Sequence, residues 1–441
     1  MFRVSDNGRF LLRNDQPFFY LADTAWELFH RLSRSEADQY LQNRAAKRFN
    51  VVQAVVLAEL DGLHTPNANG DLPLLDDDPA RPNEAYFAHV DWIIDRAAEL
   101  GIVTGLLPTW GDKVVPMWGT GPVVFTPANA FAFGQFLGQR YRDRPIIWIL
   151  GGDRPSVRDD WDVRPVWRAM AQGIDVGVGG PALKSYHPMG GMSSADELHQ
   201  EPWLDFNMQQ SGHGAGRDVP VWERIAADYD RAPTKPVLDG EPNYEDHPVS
   251  PWPTWNPANG HFRDYDVRKQ SYRSVFAGGC GITYGHQAIW QMHTPAHHGA
   301  NYVDQTWQEG LDRPGAAQMQ HLRALIEGRP MLERVPDRSL LASDPGAGTD
   351  YVIATRAADG SYAMVYSSSG QPFTLDLPQL GNKTLRAHWF DPRTGTAQPA
   401  DDVATTRAAT FTPPSSGAEQ DWVLVLDDAA RGWGTPGQET A

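Results

Sequence analysis

Eight short apolar segments alternate with helical segments across residues 18–329, and this alternation constrains the fold more than any other feature. The segments at 146–150 and 236–238 are apolar throughout, which is typical of strands buried on both faces of a parallel sheet. The other strands are predicted at 18–22, 51–57, 102–107, 183–187, 206–210 and 281–284. Eight β/α units favour a closed (β/α)8 TIM barrel. The lack of a Gly-rich dinucleotide fingerprint after the first strand weakens the open-sheet alternative.

Helix-start signals lie between these strands. Ser33 and Glu36 have capping-box spacing, Asn83 is a predicted N-cap, and Thr126 precedes a proline at the first helical position. The predicted helices cover residues 33–49, 84–100, 126–141, 166–173, 221–231, 264–276 and 316–327.

The pattern changes after Arg329 and Pro330, where short strands separated by turns replace the alternation. These strands are predicted at 351–354, 362–366, 373–375, 385–390 and 422–426, with turns at 358–361 and 391–395. Such a pattern indicates an all-β sandwich. The predicted organisation is an N-terminal hairpin at 1–17, the barrel at 18–329, the sandwich at 330–428 and a mobile, Gly-rich tail at 429–441.

The net charge of −17 argues against nucleic acid and anionic membranes as partners, since both require basic patches. The single cysteine, Cys280, excludes an intrachain disulfide. No apolar run is long enough to cross a bilayer, and the N-terminus lacks the features of a signal peptide. We therefore expect a cytoplasmic protein for the sequence as written, or a periplasmic or secreted one if a leader was removed.

A metal or other cofactor is not expected. His293 and His297 are four residues apart, but no accompanying glutamate of the zincin type is present, and Pro295 disfavours a helix there.

Two carboxylates follow glycines at the ends of predicted interior strands. Asp153 follows Gly152 after the fourth strand, and Glu241 follows Gly240 after the seventh. The C-terminal ends of barrel strands are where active sites are built. A glycoside hydrolase needs one protonated carboxyl to donate to the leaving oxygen and one ionised carboxylate to attack or to activate water. For either residue alone, a helix cap or an ion pair is the alternative interpretation.

Further polar and aromatic residues follow the other strands at the same end of the predicted barrel. Hydroxyl-rich substrates are bound by such a mixture of amides, carboxylates, imidazoles and ring faces. The bulky rings also predict a short pocket that accepts a terminal sugar. A local hydrogen-bonding role is the alternative for each residue singly. The predicted substrate contacts are Asp23, Trp26, Trp110, His187, Gln210, Ser211, Tyr244, Tyr284, His286 and Trp290.

The chain resembles the apiosidase-like glycoside hydrolases, family 140 and its relatives, over nearly its whole length. The resemblance is carried by Asn-Gly-Arg-Phe at 7–10, Leu-Ala-Asp-Thr-Ala-Trp at 21–26, Trp-Ile-Leu-Gly-Gly-Asp at 148–153 and Asp-Gly-Glu-Pro at 239–242. It implies a TIM barrel, a retaining mechanism with Asp153 as general acid/base and Glu241 as nucleophile, and release of apiose or a related pentose or furanose from polysaccharide side chains. Barrel hydrolases of the larger clan usually have Asn-Glu after the fourth strand, where this chain has Gly152-Asp153.

The C-terminal segment, with His-Trp-Phe-Asp-Pro-Arg-Thr-Gly at 388–395, resembles the β-sandwich that follows the barrel in that family. That sandwich carries a collagen-binding label, and we interpret it as packing support.

The leading hypothesis is an exo-acting retaining glycosidase on plant or microbial polysaccharide side chains. Two alternatives from other classes remain at this point. A non-catalytic carbohydrate-binding protein is disfavoured by the intact carboxylate pair. A protease or collagen-binding protein has no Ser-His-Asp order or zinc motif to support it.

Overall fold

The computed structural model describes residues 1–249 and 255–438. The chain opens with a three-stranded antiparallel sheet rather than the predicted two-stranded hairpin. Its strands are β1 (Phe2–Val4), β2 (Leu11–Arg13) and β3 (Gln16–Phe18).

An eight-stranded parallel sheet follows, which confirms the predicted barrel. Its strands, in chain order, are β4 (Tyr20–Thr24), β5 (Val51–Leu57), β6 (Val103–Thr109), β7 (Ile146–Gly151), β10 (Lys184–His187), β11 (Asn207–Gln209), β12 (Val237–Asp239) and β13 (Gly281–Tyr284). The hydrogen-bonded order is β10-β7-β6-β5-β4-β13-β12-β11. The two end strands meet where the Asp205 N–H donates to the Lys184 carbonyl (2.9 Å) and the Ser185 hydroxyl donates to the Phe206 carbonyl (2.7 Å). A small hairpin of β8 (Val157–Arg158) and β9 (Trp161–Asp162) follows β7.

Helices surround the barrel. They are α1 (Leu28–Arg31), α2 (Arg34–Ala46), α3 (Glu84–Glu99), α4 (Pro127–Tyr141), α5 (Arg164–Val178), α6 (Ala195–Leu198), α7 (Val221–Tyr229), α8 (Asp264–Phe276), α9 (Trp307–Gly310) and α10 (Pro314–Glu327). The predicted caps are present. Ser33 and Glu36 form both halves of a capping box, Asn83 accepts from Ala85 N–H, and Thr126 caps α4.

Side chains along the barrel strands alternate between the interior and the surrounding helices, as strand geometry requires. In β13, the Thr283 hydroxyl points inward and accepts from the Gln53 amide (2.8 Å). The next residue, Tyr284, therefore points outward. In β4, Asp23 points outward and pairs with Arg44 of α2 (2.5 Å). This alternation decides which strand-end residues reach the barrel mouth.

The C-terminal domain is the predicted all-β sandwich, with more strands than expected. They are β14 (Arg334–Pro336), β15 (Val352–Ala357), β16 (Tyr362–Ser367), β17 (Phe373–Leu375), β18 (Thr384–Asp391), β19 (Thr396–Pro399), β20 (Val403–Ala404), β21 (Ala409–Phe411) and β22 (Trp422–Asp428). Seven form one sheet, ordered β14-β15-β16-β22-β18-β19 with β20 against β18, while β17 pairs with β21. The additional strands β14, β19, β20 and β21 are short and carry few large apolar side chains.

The larger sheet packs on α8 of the barrel. Arg268 makes a bidentate pair with Asp421 (2.8 Å for each bond), and Tyr272 stacks on Tyr366 with ring centroids 5.0 Å apart. Both charged groups of the pair are fully buried, so the domain covers this helix rather than standing apart from it.

The segment predicted to be a mobile tail is packed as far as the structure describes it. Trp433 meets Tyr362 edge-on at 6.0 Å between ring centroids, and the Gly434 carbonyl accepts from Arg329 (2.9 Å). Residues 439–441 of that prediction lie outside the described residues.

Candidate active site

The turn after β7 places Asp153 at the barrel mouth. A Cβ on Gly151 would lie 2.4 Å from the His187 carbonyl, and one on Gly152 would lie 2.7 Å from the Gly111 nitrogen. Only glycine fits these close approaches. Asp153 itself has a φ of +55°, a left-handed conformation that is uncommon outside glycine. This strained turn directs the carboxyl group into the site.

The Asp153 carboxyl group is bonded unevenly at its two oxygens. Oδ2 accepts from the Trp118 indole N–H (3.0 Å) and from Arg154 (3.0 Å). Oδ1 accepts only a longer bond from the Gly190 backbone N–H (3.3 Å). Burial raises the pKa of Asp153, and the charge on Glu241 raises it further, against the lowering effect of Arg154. This environment favours a protonated carboxyl group, with Oδ1 as the less occupied oxygen.

The Glu241 carboxylate has an imidazole at each oxygen. His187 Nε2 lies 2.7 Å from Oε2, and His213 Nε2 lies 3.1 Å from Oε1. Burial alone would raise the pKa of Glu241, but these two contacts outweigh it and hold the pKa well below its usual value. The hydroxyl of Tyr244 also interacts with this carboxylate, and burial together with that negative charge raises the tyrosine pKa.

The His187 ring connects the two carboxyl-bearing turns. Its Nδ1 accepts from the Asp153 backbone N–H (3.2 Å), so the ring proton resides on Nε2, which faces Glu241. One residue of β10 thereby orients the acidic group of β12's loop and braces the turn of β7.

Three aromatic rings line the mouth beside this pair. Trp26 lies 5.3 Å from Trp110 and 5.3 Å edge-on from His187, and Trp110 lies 5.4 Å from the same imidazole, all between ring centroids. Trp26 also donates its indole N–H to the Tyr244 hydroxyl (3.1 Å). Trp110 Nε1 is buried with no partner in the structure. The predicted contacts Trp26, Trp110, His187 and Tyr244 are therefore brought together with Asp153 and Glu241.

Two predicted contacts on adjacent barrel strands are corrected, because their side chains face the helices. Asp23 accepts from Tyr40 (2.7 Å) and pairs with Arg44 inside α2's buried face. Tyr284 donates to Glu245 (2.6 Å) on the same outer side. The position at a strand end was predicted correctly, but the alternation of side chains points both away from the mouth.

Two further predicted contacts serve the loops instead of the substrate. His286 lies 3.1 Å from Asp246 behind the eighth strand. Ser211 donates to Asp239 (2.6 Å) and accepts from Gln270 of α8 (2.7 Å). Burial raises the pKa of Asp239 to about 7, which fits a protonated, structural carboxyl group.

The last two predicted contacts lie at the edge of the site. Gln210 lies beside Gly190, whose N–H bonds Asp153, and its Oε1 is buried with no partner in the structure. Trp290 donates to Gln287 (3.1 Å) and packs in the same apolar cluster as the three rings at the mouth.

Sequence reasoning did not single out Trp118 and Arg154, and it did not assign His213 to the site. Arg154 directly follows Asp153, which was a usable signal. Trp118 lies in a Gly- and Pro-rich loop, and no local pattern relates that loop to Asp153. His213 was noted only as one of several polar residues after the sixth strand.

Among residues 1–249 and 255–438, no group of three or more His, Cys, Asp or Glu side chains is arranged to hold a metal ion. Within the same ranges, no helix is long and apolar enough to span a bilayer.

Comparison with known proteins gives one result for each domain. A family model described as "Apiosidase-like, catalytic domain" matches residues 5–333. A second, described as "Putative collagen-binding domain of a collagenase", matches residues 335–427. Among curated proteins, no sequence matches the chain.

Solved structures of glycoside hydrolases are similar over the whole length. One, a glycoside hydrolase family 5 protein from Bacteroides vulgatus, is 34% identical with a TM-score of 0.88 over 97% of this chain and 93% of that one. Another glycoside hydrolase is 33% identical with a TM-score of 0.87 over 97% of each chain. A third, also from Bacteroides vulgatus, is 15% identical with a TM-score of 0.68 over 97% of this chain and 82% of that one, which shows the fold alone.

Proposed function

The chain belongs to the apiosidase-like glycoside hydrolases, and from this premise we propose a retaining, exo-acting enzyme that removes a terminal sugar from polysaccharide side chains. Apiose or a related pentose or furanose is the proposed sugar. Asp153 is the general acid/base and Glu241 is the nucleophile. The observation that carries these roles is the opposite direction of their pKa shifts, upward for Asp153 and downward for Glu241.

The chemistry follows from these protonation states. In the first step, Glu241 forms a bond to the anomeric carbon while the bond to the glycosidic oxygen breaks, and Asp153 passes its proton to that oxygen. In the second step, Asp153 takes a proton from water, the water oxygen bonds the anomeric carbon, and Glu241 leaves. Because Oδ2 already accepts from Trp118 and Arg154, the transferred proton is placed on Oδ1.

The retaining assignment makes a geometric prediction. In a ligand-bound crystal structure, the carboxyl carbons of Asp153 and Glu241 should lie about 5–5.5 Å apart. A separation above roughly 9 Å in a closed, ligand-bound site would indicate an inverting mechanism instead.

The exo assignment rests on the rings at the mouth. Trp26, Trp110 and Tyr244 pack around the carboxylate pair and are nearly fully buried. Such a wall leaves room for one sugar but not for a passing chain, and it excludes water from the charged transition state. The predicted wall included Tyr284, which the structure replaces with His187.

The test is product analysis on a branched pectic oligosaccharide and on a linear pectic polymer. We expect monosaccharides released from non-reducing ends of the branched substrate. Early accumulation of mixed internal fragments from the linear polymer would contradict the exo assignment. Absence of any hydrolysis, across these substrates and a panel of aryl glycosides, would favour a non-catalytic carbohydrate-binding protein.

A further inference from the structure

We propose that Trp118 is the platform for the leaving group, so that the enzyme selects glycosides whose leaving group is itself a sugar ring. The inference rests on the proposed role of Asp153 as acid/base and extends it to the other half of the substrate. It assigns a specificity-determining role to a residue in the loop after β6.

The contacts of Trp118 place it beside the acid/base. Its indole N–H donates to Asp153 Oδ2 (3.0 Å), and the Arg154 guanidinium lies 4.5 Å from the ring centroid on one face. The side chain nevertheless remains 40% exposed. Since one face and the Nε1 edge are covered, the opposite face is open to solvent.

The loop that carries this ring is held in place. The Trp118 carbonyl accepts from Arg154, and the buried Asp112 carboxylate accepts from Gly121 N–H (2.9 Å). Gly119 has a φ of +102°, and a Cβ there would lie 2.7 Å from Asp112. The ring is therefore preorganised, and binding a ligand does not have to pay the entropy of ordering an exposed side chain.

The reaction itself determines what lies on that open face. The acid must reach the glycosidic oxygen, so the first ring of the leaving group lies next to Asp153. A sugar ring offers an apolar C–H face, which packs on an aromatic face. The buried rings of Trp26 and Trp110 surround the opposite carboxylate, Glu241, through its partner His187. The released sugar is thus enclosed, whereas the leaving group faces solvent beside Trp118.

The experiment compares two substrates that share a terminal sugar, chosen from those that the wild type hydrolyses. One is the pectic oligosaccharide, whose leaving group is a sugar. The other is the glycosyl fluoride, whose leaving group has no ring to stack and needs little protonation. Trp118→Ala should lower kcat/KM for the oligosaccharide about tenfold and leave that for the fluoride nearly unchanged. Val123→Ala, at an exposed position of the same loop, is the matched control and should alter neither.

Trp118→Phe separates stacking from hydrogen bonding. The ring remains, so most of the oligosaccharide activity should remain. The N–H that stabilises ionised Asp153 is lost, while the charged neighbours Arg154, Glu241 and Glu59 stay. The alkaline limb of the kcat/KM profile should therefore move to higher pH, because activity needs protonated Asp153.

The outcomes distinguish the two proposals. Equal loss on both substrates in Trp118→Ala, or no loss on either, would overturn the platform while leaving the acid/base assignment to its own test with Asp153→Asn. No turnover of any substrate by the wild type would overturn the proposed function and the platform together.

Discussion

The ends of β7 and β12 begin alike and finish with opposite electrostatics. Each strand is apolar, ends at glycine and is followed by a carboxyl group at the barrel mouth. Asp153 is buried beside a negative charge, and its one buried cation, Arg154, does not offset this. Glu241 is buried as well, but it receives a nitrogen donor at each oxygen from His187 and His213.

This difference shows that the position in the barrel supplies a carboxyl group but does not assign its role. The neighbours that divide the proton between Asp153 and Glu241 come from β10, the loop after β11 and the loop after β12. Two groups whose surroundings push their pKa values apart are what acid/base chemistry at one site requires.

The largest expected effect breaks the seventh-strand side of the comparison. Glu241→Gln removes the nucleophile, so kcat should fall by about 10⁴-fold or more for every substrate, measured with natural and aryl glycosides. Asp239→Asn is the matched control, because this nearby carboxyl group bonds Ser211 and not the substrate. Activity of Glu241→Gln within tenfold of the wild type would contradict the assignment.

Asp153→Asn breaks the fourth-strand side. Loss of the acid should lower kcat/KM on natural substrates by about 10²–10⁴-fold. The first step should survive with an activated aryl glycoside, whose leaving group needs little protonation, and azide should rescue the second step by attacking the glycosyl-enzyme. Equal loss on activated and natural substrates, without azide rescue, would indicate that Asp153 is structural.

His187→Ala should make the two carboxyl groups more alike. It removes a donor from Glu241, so the pKa of Glu241 should rise. Since activity needs ionised Glu241, the acid limb of the pH–rate profile should move to higher pH, with kcat lowered by about 10–100-fold. His64→Ala, at an exposed histidine that pairs with Asp77, is the control and should leave the profile in place. An unmoved acid limb in His187→Ala would argue against its role.

The smallest effects come from two tyrosines with different directions. Tyr244→Phe removes the hydroxyl near Glu241 and should lower kcat about tenfold. Tyr284→Phe removes a hydroxyl that bonds Glu245 on the helix side, so it should lower the free energy of unfolding by about 1 kcal/mol and leave kcat/KM unchanged. Kinetics and thermal unfolding of both variants check this, and an exchange of the two phenotypes would overturn the assigned directions.

The fold could be predicted largely from local signals. The eight apolar segments, the capping box at Ser33 and the proline after Thr126 are features of short windows, and the structure has strands and helices at those places. The C-terminal strands β14, β19, β20 and β21 were missed because short edge strands carry little apolar pattern. Helix α8 shows the same limit, because its arginines are buried only by a domain distant in sequence.

The sequence by itself determined which strands carry the two carboxyl groups and which end of the barrel they occupy, because glycine after an apolar run is a local code. The tertiary structure alone decided that Tyr284 faces the helices while Tyr244 faces Glu241. It also placed Trp118, from the loop after a different strand, on Asp153. These choices depend on side-chain direction and on contacts between residues far apart in the chain. The proton affinities of Asp153 and Glu241 depend on the same contacts, because burial and neighbouring charge set a pKa only after folding.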